Sequence, residues 1–355
     1  MKLNIFVGSM FALLSTFSYG KNILVLGSVI NQTPPSEHVA NARVLLQIKG
    51  NLVEADYSKE KGTYSKRLES EEYAKEKIAL LVQHTNFVQT NPDKDIVQTG
   101  FSGRTEHHIN VKTKEHLANT LVLSAKRSAT SGDYIKALDH IDSASSIYQS
   151  FDIYSYKVRL IGDALKTNED LPVRHTNLAS DGAFLSYSQS LSDLDRYKLF
   201  LQLGQAYTNV SDPEKEIDDT TTYFDVAVSA YAEAKKSNPT NAKSYQGEYK
   251  LYQKTGNHYD AVVVIQSFFK RNPSITRVST VRAFLADWLT SFEKITGFPY
   301  SSPEEISKDS LYYGMAEELL AAIKQYESMF KHDNKQESKR LLNATNLLND
   351  IVKGE

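Results

Sequence analysis

The chain has 355 residues, of which 41% are hydrophobic and 24% are charged, and this composition is typical of a globular protein, not of a disordered or multi-span membrane protein. Its 41 Lys and Arg residues and 43 Asp and Glu residues give a formal net charge of −2. That balance excludes the overall positive charge of a general nucleic-acid-binding protein, although a local basic groove is compatible with it. Because there is no cysteine, disulfide bonds, thiol catalysis and Cys-ligated metals are excluded.

Residues 1–20 have the layout of a secretory signal peptide. One Lys precedes an apolar stretch from Ile5 to about Phe17, and small residues follow at Ser18 and Gly20. The stretch is too short to cross a bilayer core of roughly 30 Å as a helix. We therefore expect cleavage after Gly20 and an exported protein that acts in the periplasm, at the cell surface or outside the cell.

The remaining sequence has the pattern of amphipathic helices joined by short polar segments. Its nine prolines stand at the edges of the apolar-periodic segments, because proline is excluded from helix interiors. Residues 21–30 and 93–112 are expected to be irregular or weakly β, and the segment HHINVK could form a short strand. Helices are predicted over residues 36–57, 63–90, 114–130, 134–149, 152–167, 177–190, 194–209, 220–237, 241–255, 258–271, 275–295, 303–331 and 334–352.

A period of 34 residues is visible in the middle of the chain. Three pairs of positions have this spacing: Ala227 and Ala261, Tyr231 and Ile265, and Pro239 and Pro273. A 34-residue unit of two helices is the length of a tetratricopeptide (TPR) repeat. The first-helix pattern of that family is matched by Phe200, Leu203, Gly204 and Tyr207, and its second-helix pattern by Ala227, Tyr231, Ala234 and Pro239. The chain thus resembles the TPR family, with an acidic insert at about residues 211–222.

The resemblance implies an all-α fold, a helical-repeat solenoid of antiparallel helix pairs. Repeats are expected at residues 118–151, at 197–240 with the inserted turn, and at 242–275, where Glu248 and Tyr249 replace the Leu-Gly of the family pattern. Residues 152–193 are expected to be a degenerate helix pair, and residues 276–355 to be C-terminal capping helices. Residues 21–117 are expected to be an N-terminal helical region with an irregular segment near 93–112. One helix pair cannot bury its own apolar face, so stacking of the pairs is obligatory.

No catalytic motif is present: the sequence has no Walker loop, GxGxxG, HExxH, GxSxG or EF-hand loop. We therefore predict no enzyme, no cofactor and no metal. His108 and His116 could share a face only if the residues between them were helical, and a polar loop that leads into a helix is the favoured interpretation. These two residues belong to the densest titratable cluster, which contains Glu106, His107, His108, Glu115 and His116.

The resemblance also implies a concave groove lined by first-helix residues. Of the fifteen positions that correspond, five are Lys and none is acidic, so we expect a partner protein or peptide with an acidic or C-terminal carboxylate segment. An ordinary solvated helix face is the alternative, and the acidic insert could fold over the groove as a competitor. The candidate groove residues are Asn119, Lys126, Lys198, Gln205, Asn209, Lys243, Gln246, Lys250 and Lys254.

The sequence therefore predicts a non-catalytic adaptor or assembly factor that acts outside the cytoplasm, without a nucleic-acid partner and without a membrane span after removal of the signal peptide. One alternative is an enzyme that acts on envelope polysaccharide or peptidoglycan, which would need two carboxylates about 5 to 10 Å apart in a cleft. Another is a self-assembling surface or matrix protein, suggested by the 21 tyrosines and the polar terminal helices.

Overall fold

The computed structural model describes residues 22–34, 37–58, 60–99, 103–167, 171–178, 181–210, 212–298, 305–306 and 309–353. The chain divides into two units, residues 1–120 and 121–355, which we name the β unit and the helical unit. The predicted signal peptide at residues 1–20 lies outside the described residues. Within the described part of the chain, no helix combines the length and the apolar character needed to cross a membrane.

The described residues of the β unit form two sheets that share one apolar core. Its strands are β1 (Asn22–Asn31), β2 (Glu37–His38), β3 (Arg43–Ile48), β4 (Asn51–Glu54), β5 (Asp56–Ser58), β6 (Thr63–Glu69), β7 (Lys77–Gln83), β8 (Phe87–Gln89), β9 (Ile96–Gln98) and β10 (Gly103–Thr113), with a short helix α1 (Ser70–Tyr73) between β6 and β7. The first sheet has the order β5-β6-β1-β10-β8 with β2 on β1, and the second has the order β4-β3-β7-β9. Strands β1 and β10 are parallel, and buried side chains from both sheets form a single cluster.

The prediction of an N-terminal helical region over residues 21–117 is wrong, and with it the all-α fold class for the whole chain. The segments predicted as helices at 36–57 and 63–90 form strands β2 to β8, apart from the single turn of α1. The periodicity of short apolar runs such as RVLLQI and KIALLVQ is compatible with either a helix or a strand. These two runs form strands because they pair with each other in the folded chain. Lys49 and Gly50 join β3 to β4 with φ values of 48° and 84°, as a two-residue hairpin turn of type I′ requires.

The second half of the β unit agrees better with the expectation of weak β structure. Residues 93–112, expected to be irregular or weakly β, contain β9 and most of β10, and HHINVK lies within β10. The first segment, expected to be of the same kind, forms the ten-residue strand β1. Its parallel pairing with β10 joins segments about 80 residues apart, which no local pattern in the sequence specifies.

The rest of the chain is almost entirely helical. Its helices are α2 (Lys114–Thr130), α3 (Tyr134–Ile147), α4 (Phe151–Lys166), α5 (Val173–Thr176), α6 (Gly182–Ser190), α7 (Asp193–Thr208), α8 (Tyr223–Ser237), α9 (Ala242–Lys254), α10 (His258–Arg271), α11 (Val278–Thr296), α12 (Ser310–Phe330) and α13 (Gln336–Lys353). The helix predicted at 177–190 starts later, at Gly182, where Asp181 caps it. The helix predicted from residue 303 is described from Ser310, which Asp309 precedes as the cap.

The helices of the helical unit are arranged in a two-layer repeat. Helices α4, α7, α9, α11 and α13 contact one another in succession, and we name them the first layer. Each of α8, α10 and α12 contacts the first-layer helices that precede and follow it in the chain. The helices from α7 to α13 thereby bury apolar side chains against their neighbours, as a solenoid of repeats requires.

The equivalent positions of the 34-residue period are buried in both of the repeats that they belong to. Ala227 and Ala261 are fully buried, and so are Tyr231 and Ile265. The ring of Tyr231 lies between α7 and α9: a Cβ atom added at Gly204 would be 2.8 Å from its Cε1 atom, and one added at Gly247 would be 2.5 Å away. The glycines therefore allow the close approach of the helices that the sequence pattern predicts.

Candidate protein-binding face

The two candidate residues of α2 are exposed, and the one charged residue of the pair, Lys126, contacts an aromatic ring. Asn119 and Lys126 both lie on the surface of this helix. The Lys126 ammonium is 5.8 Å from the ring centroid of Tyr156 in α4, which is within the range of a cation–π interaction.

The candidate residues of α7 lie on the exposed side of the first layer. Lys198 forms a salt bridge of 3.1 Å with Asp195, one turn earlier in the same helix. Gln205 and Asn209 line a pocket of about 290 Å³ between α4 and α7. The two amide side chains of α7 therefore lie together in one pocket, whereas the charge of Lys198 is partly compensated by Asp195.

The four candidate residues of α9 separate into different environments. Lys243 and Gln246, near the start of the helix, line an open pocket of about 850 Å³. Lys250 is exposed and lies near Asp287 of α11. Its positive charge partly offsets the rise that burial causes in the pKa of the Asp287 carboxyl. The Lys254 ammonium donates hydrogen bonds to the carbonyl groups of Thr208 and Val210 at the end of α7. Lys254 therefore fixes a helix end and is not free to bind a partner.

The first layer also has acidic residues that sequence reasoning missed. Asp163 of α4 lines the same pocket as Gln205 and Asn209. Burial raises the pKa of the Asp287 carboxyl to about 6, although the nearby Lys250 charge opposes the shift. Both aspartates belong to helices without a recognisable repeat motif, so the family pattern does not reach them. The face is consequently of mixed charge and not uniformly basic.

Polar side chains link neighbouring first-layer helices. Between α4 and α7, the hydroxyl of Ser155 donates to Gln202 at 2.8 Å. Between α9 and α11, the amide of Gln253 donates to Ser291 at 2.7 Å and accepts from the Lys294 ammonium at 2.9 Å. These bonds fix side chains of successive helices relative to one another.

The acidic insert forms a small hairpin beside α5 and α8. Its strands are β11 (Glu216–Asp218) and β12 (Thr221–Thr222), and they contact α5 and α8 respectively. The Asn177 amide donates to the Asp218 carboxylate at 2.8 Å, while Asp212, at the start of the insert, lies near Lys254. The hairpin is thus anchored on helices outside the first layer.

A buried ionic cluster connects α3, α4 and the segment that leads into α6. Lys157 is only 3% exposed and lies 2.9 Å from Asp142 and 3.4 Å from Asp181. His175, which is completely buried, is 2.8 Å from Asp142 and 3.2 Å from Asp139. Burial raises the pKa of Asp142, but the hydrogen bond from His175 and the charge of Lys157 outweigh it, so the pKa is below its ordinary value.

The titratable cluster of the β unit does not converge on one point. Glu106 and His108 lie on one face of β10, where the Ser28 hydroxyl is 2.8 Å from Nδ1 of His108. His107 points to the opposite face and is 2.9 Å from Asp95, because successive strand residues alternate between faces. Among the described residues, no group of three metal-ligating side chains is found.

Comparison with known proteins finds matches of low identity among solved structures. No family model matches the chain, and no curated protein matches it. A thermophilic TPR protein of Thermus thermophilus is 16% identical, with 65% of this chain and 100% of that chain covered and a TM-score of 0.27. A TPR protein of Parabacteroides merdae is 13% identical, with coverages of 65% and 99% and a TM-score of 0.20. MamA is 14% identical, with coverages of 62% and 97% and a TM-score of 0.31.

These TM-scores are too small to define the fold, which rests instead on the chain's own helix pairs. The 34-residue spacing, the buried equivalent positions and the succession of first-layer contacts are all features of TPR architecture. The helical unit is therefore TPR-like.

Proposed function

We propose that the protein is a non-catalytic adaptor or assembly factor that binds a segment of a partner protein along the first-layer face of its helical unit. The observation that carries the proposal is the succession of contacts from α4 through α7 and α9 to α11. It forms one surface from four helices, with exposed or half-exposed amide and lysine side chains at Gln205, Asn209, Gln246 and Lys250.

The spacing of the face suits an extended segment. Packed helices lie about 8 to 10 Å apart, and an extended chain advances about 3.3 Å per residue. A bound segment would therefore pass one first-layer helix about every three residues. Side-chain amides can both donate to and accept from its backbone. An amide that is already held by a neighbouring helix, as Gln202 is by Ser155, loses less entropy on binding.

The charges of the face suggest how such a segment would be oriented. Lys243 and Lys250 of α9 favour an acidic side chain or a C-terminal carboxylate opposite α9. Asp163 and Asp287 disfavour carboxylates opposite α4 and α11, because like charges in a binding interface repel. We therefore propose a partner segment whose acidic part is short and confined to the level of α9.

A crosslinking experiment tests the site of binding. A photoreactive residue at position 205 should capture the partner from a native extract. The same residue at position 270, an exposed position of α10, should not. Peptides that cover the captured partner then identify the bound segment by fluorescence anisotropy. Equal capture from both positions would contradict binding along the first layer.

A pair of charge-matched variants tests the role of α9. Lys250→Glu should weaken binding of the identified peptide at least tenfold, because it replaces an attraction by a repulsion, while Lys270→Glu should leave it unchanged. Lys254 is unsuitable for this test, since its substitution also releases the end of α7. Binding of the Lys250→Glu variant at wild-type strength would refute carboxylate recognition by α9.

We also propose that the protein acts outside the cytoplasm, on the basis of the signal-peptide layout of residues 1–20. N-terminal sequencing of the protein from fractionated cells should find Lys21 as the first residue, in the extracytoplasmic fraction. A chain that begins at Met1 in the cytosolic fraction would contradict the proposal.

A further inference from the structure

The pocket at the start of α9 has an unbalanced positive charge. It measures about 850 Å³ and lies where the α8–α9 and α10–α11 connections meet. Its wall contains the three cations Lys243, Arg271 and Arg277, and no Asp or Glu. Four further pockets of the helical and β units, which lie elsewhere among the described residues, each include at least one carboxylate.

The three cations have no salt-bridge partner among the described residues, although the Arg271 charge acts on the phenol of Tyr245. All of them are exposed. By contrast, Lys235 and Lys236 of the adjacent α8 do form salt bridges. Three like charges around one cavity repel one another, and this arrangement costs free energy unless an anion compensates it. The residues described at the pocket wall provide no such anion.

Other groups in the wall also favour an anion. Ser279 and Thr280 of the first turn of α11 line the pocket, and no described side chain caps this 19-residue helix. The amide groups at a helix N-terminus carry a partial positive charge and can bind an anion. Eight of the fifteen wall residues are neutral and polar, and four are apolar, including Phe268 and Ile275. The wall thus combines positive charge with many hydrogen-bonding groups.

We infer that this pocket binds the phosphoryl group of a polar small molecule. The pocket shares Lys243 and Gln246 with the proposed partner-binding face, whereas Arg271 and Arg277 lie outside the residues assigned to that face. Each of the two guanidinium groups can donate two parallel hydrogen bonds to a phosphate. A phosphate monoester carries about −1.5 to −2 charges at pH 7, so it compensates three cations better than one carboxylate does. The volume lies in the range of small-molecule sites, about 300 to 1,000 Å³, and the polar wall suits a sugar-like body.

Isothermal titration calorimetry with three probes tests the inference: glucose 6-phosphate, inorganic phosphate and glucose. The phosphorylated sugar should bind the full chain, inorganic phosphate should bind more weakly, and glucose should not bind. If no phosphoryl probe binds at millimolar concentration, or if glucose binds as tightly as its phosphate, the inference is wrong. If inorganic phosphate binds as tightly as the sugar phosphate, the site is for a free anion and the small-molecule part of the inference is wrong.

A double variant locates the binding. Arg271→Gln with Arg277→Gln should weaken binding of the sugar phosphate at least tenfold. The matched control is Arg67→Gln with Arg127→Gln, which removes the same charge at two exposed arginines for which the described residues provide no salt bridge, and it should bind as the wild type does. Circular dichroism verifies that both variants fold. Equal affinities of the two double variants would overturn the inference, as would an acidic peptide that requires Arg271 and Arg277 while the phosphoryl probes do not bind.

Discussion

The substitution Gly247→Ala tests the packing of Tyr231 between two first-layer helices. The new methyl group would lie 2.5 Å from the Cε1 and Oη atoms of Tyr231, far inside van der Waals contact. The ring cannot move away, because Gly204 of α7 confines it on the other side and its hydroxyl is hydrogen-bonded to Thr208 at 2.9 Å. Overpacking of this kind costs about 1 to 3 kcal/mol, and we expect the upper end.

Alanine also has an intrinsic advantage over glycine in a helix, of about 1 kcal/mol. The expected net loss in the free energy of unfolding is therefore about 2 kcal/mol. Urea denaturation followed by the fluorescence of Trp288, the one tryptophan of the chain, measures it, because this residue is buried in the helical unit. The overpacking argument is refuted if Gly247→Ala is as stable as the wild type.

Two further variants separate the steric effect from helix propensity. A methyl group added at Gly314 of α12 would meet no neighbouring side chain or helix within 4 Å, so Gly314→Ala should stabilise the helical unit by up to about 1 kcal/mol. In a Tyr231→Leu background the clash with the ring is absent, so Gly247→Ala should cost much less there than in the wild type. An equal cost in both backgrounds would place the loss outside the contact with Tyr231.

Three other predictions concern charged side chains of the helical unit. Lys254→Met should lower the free energy of unfolding by about 1 kcal/mol, because it removes hydrogen bonds to the end of α7; unchanged urea denaturation would contradict this. The pKa of Asp287 is raised to about 6 from an ordinary 3.8, so its contribution to stability is complete below pH 3.8 and is lost as the pH rises through 6. Asp287→Asn should abolish this pH dependence, and Lys250→Gln should raise the pKa in an NMR titration. Asp142 has a lowered pKa, so its contribution to stability is present above pH 3.8 and is lost as the pH falls through the depressed pKa. Asp142→Asn should therefore make the free energy of unfolding fall less steeply with pH in the acid range. An unchanged pH dependence would contradict the role of the contact between Asp142 and His175.

Much of the helical unit was predictable because helix signals are local. The α2 and α10 boundaries agree with the predicted segments 114–130 and 258–271. Polar residues such as Asn241 and Asn257, which precede α9 and α10, cap these helices through their side chains. The 34-residue period likewise identified Tyr231 and Ile265 as core positions, since a repeat places equivalent residues in equivalent surroundings.

The candidate site was predictable only in part, because its charges depend on neighbours outside the repeat motif. The sequence predicted Lys250 and Gln205 as candidate groove residues, and both are exposed on first-layer helices. It did not show that Asp287 of α11 lies beside Lys250, or that Asp163 of α4 shares a pocket with Gln205. Local spacing places residues on one side of their own helix, but only packing decides which residue of another helix lies opposite.

The sequence by itself determined most of the helices between residues 114 and 353 and the 34-residue repeat, because helical periodicity, caps and prolines act within a few residues of one another. The tertiary structure decided the β unit, where β1 pairs with β10 across about 80 residues and the same apolar runs would suit helices. It also decided which lysines are free: Lys254 binds the end of α7, whereas Lys243 lies with two arginines in a pocket without carboxylates among its described residues. The physical reason is common to both, since strand pairing and charge compensation depend on groups that are distant in sequence and meet only after folding.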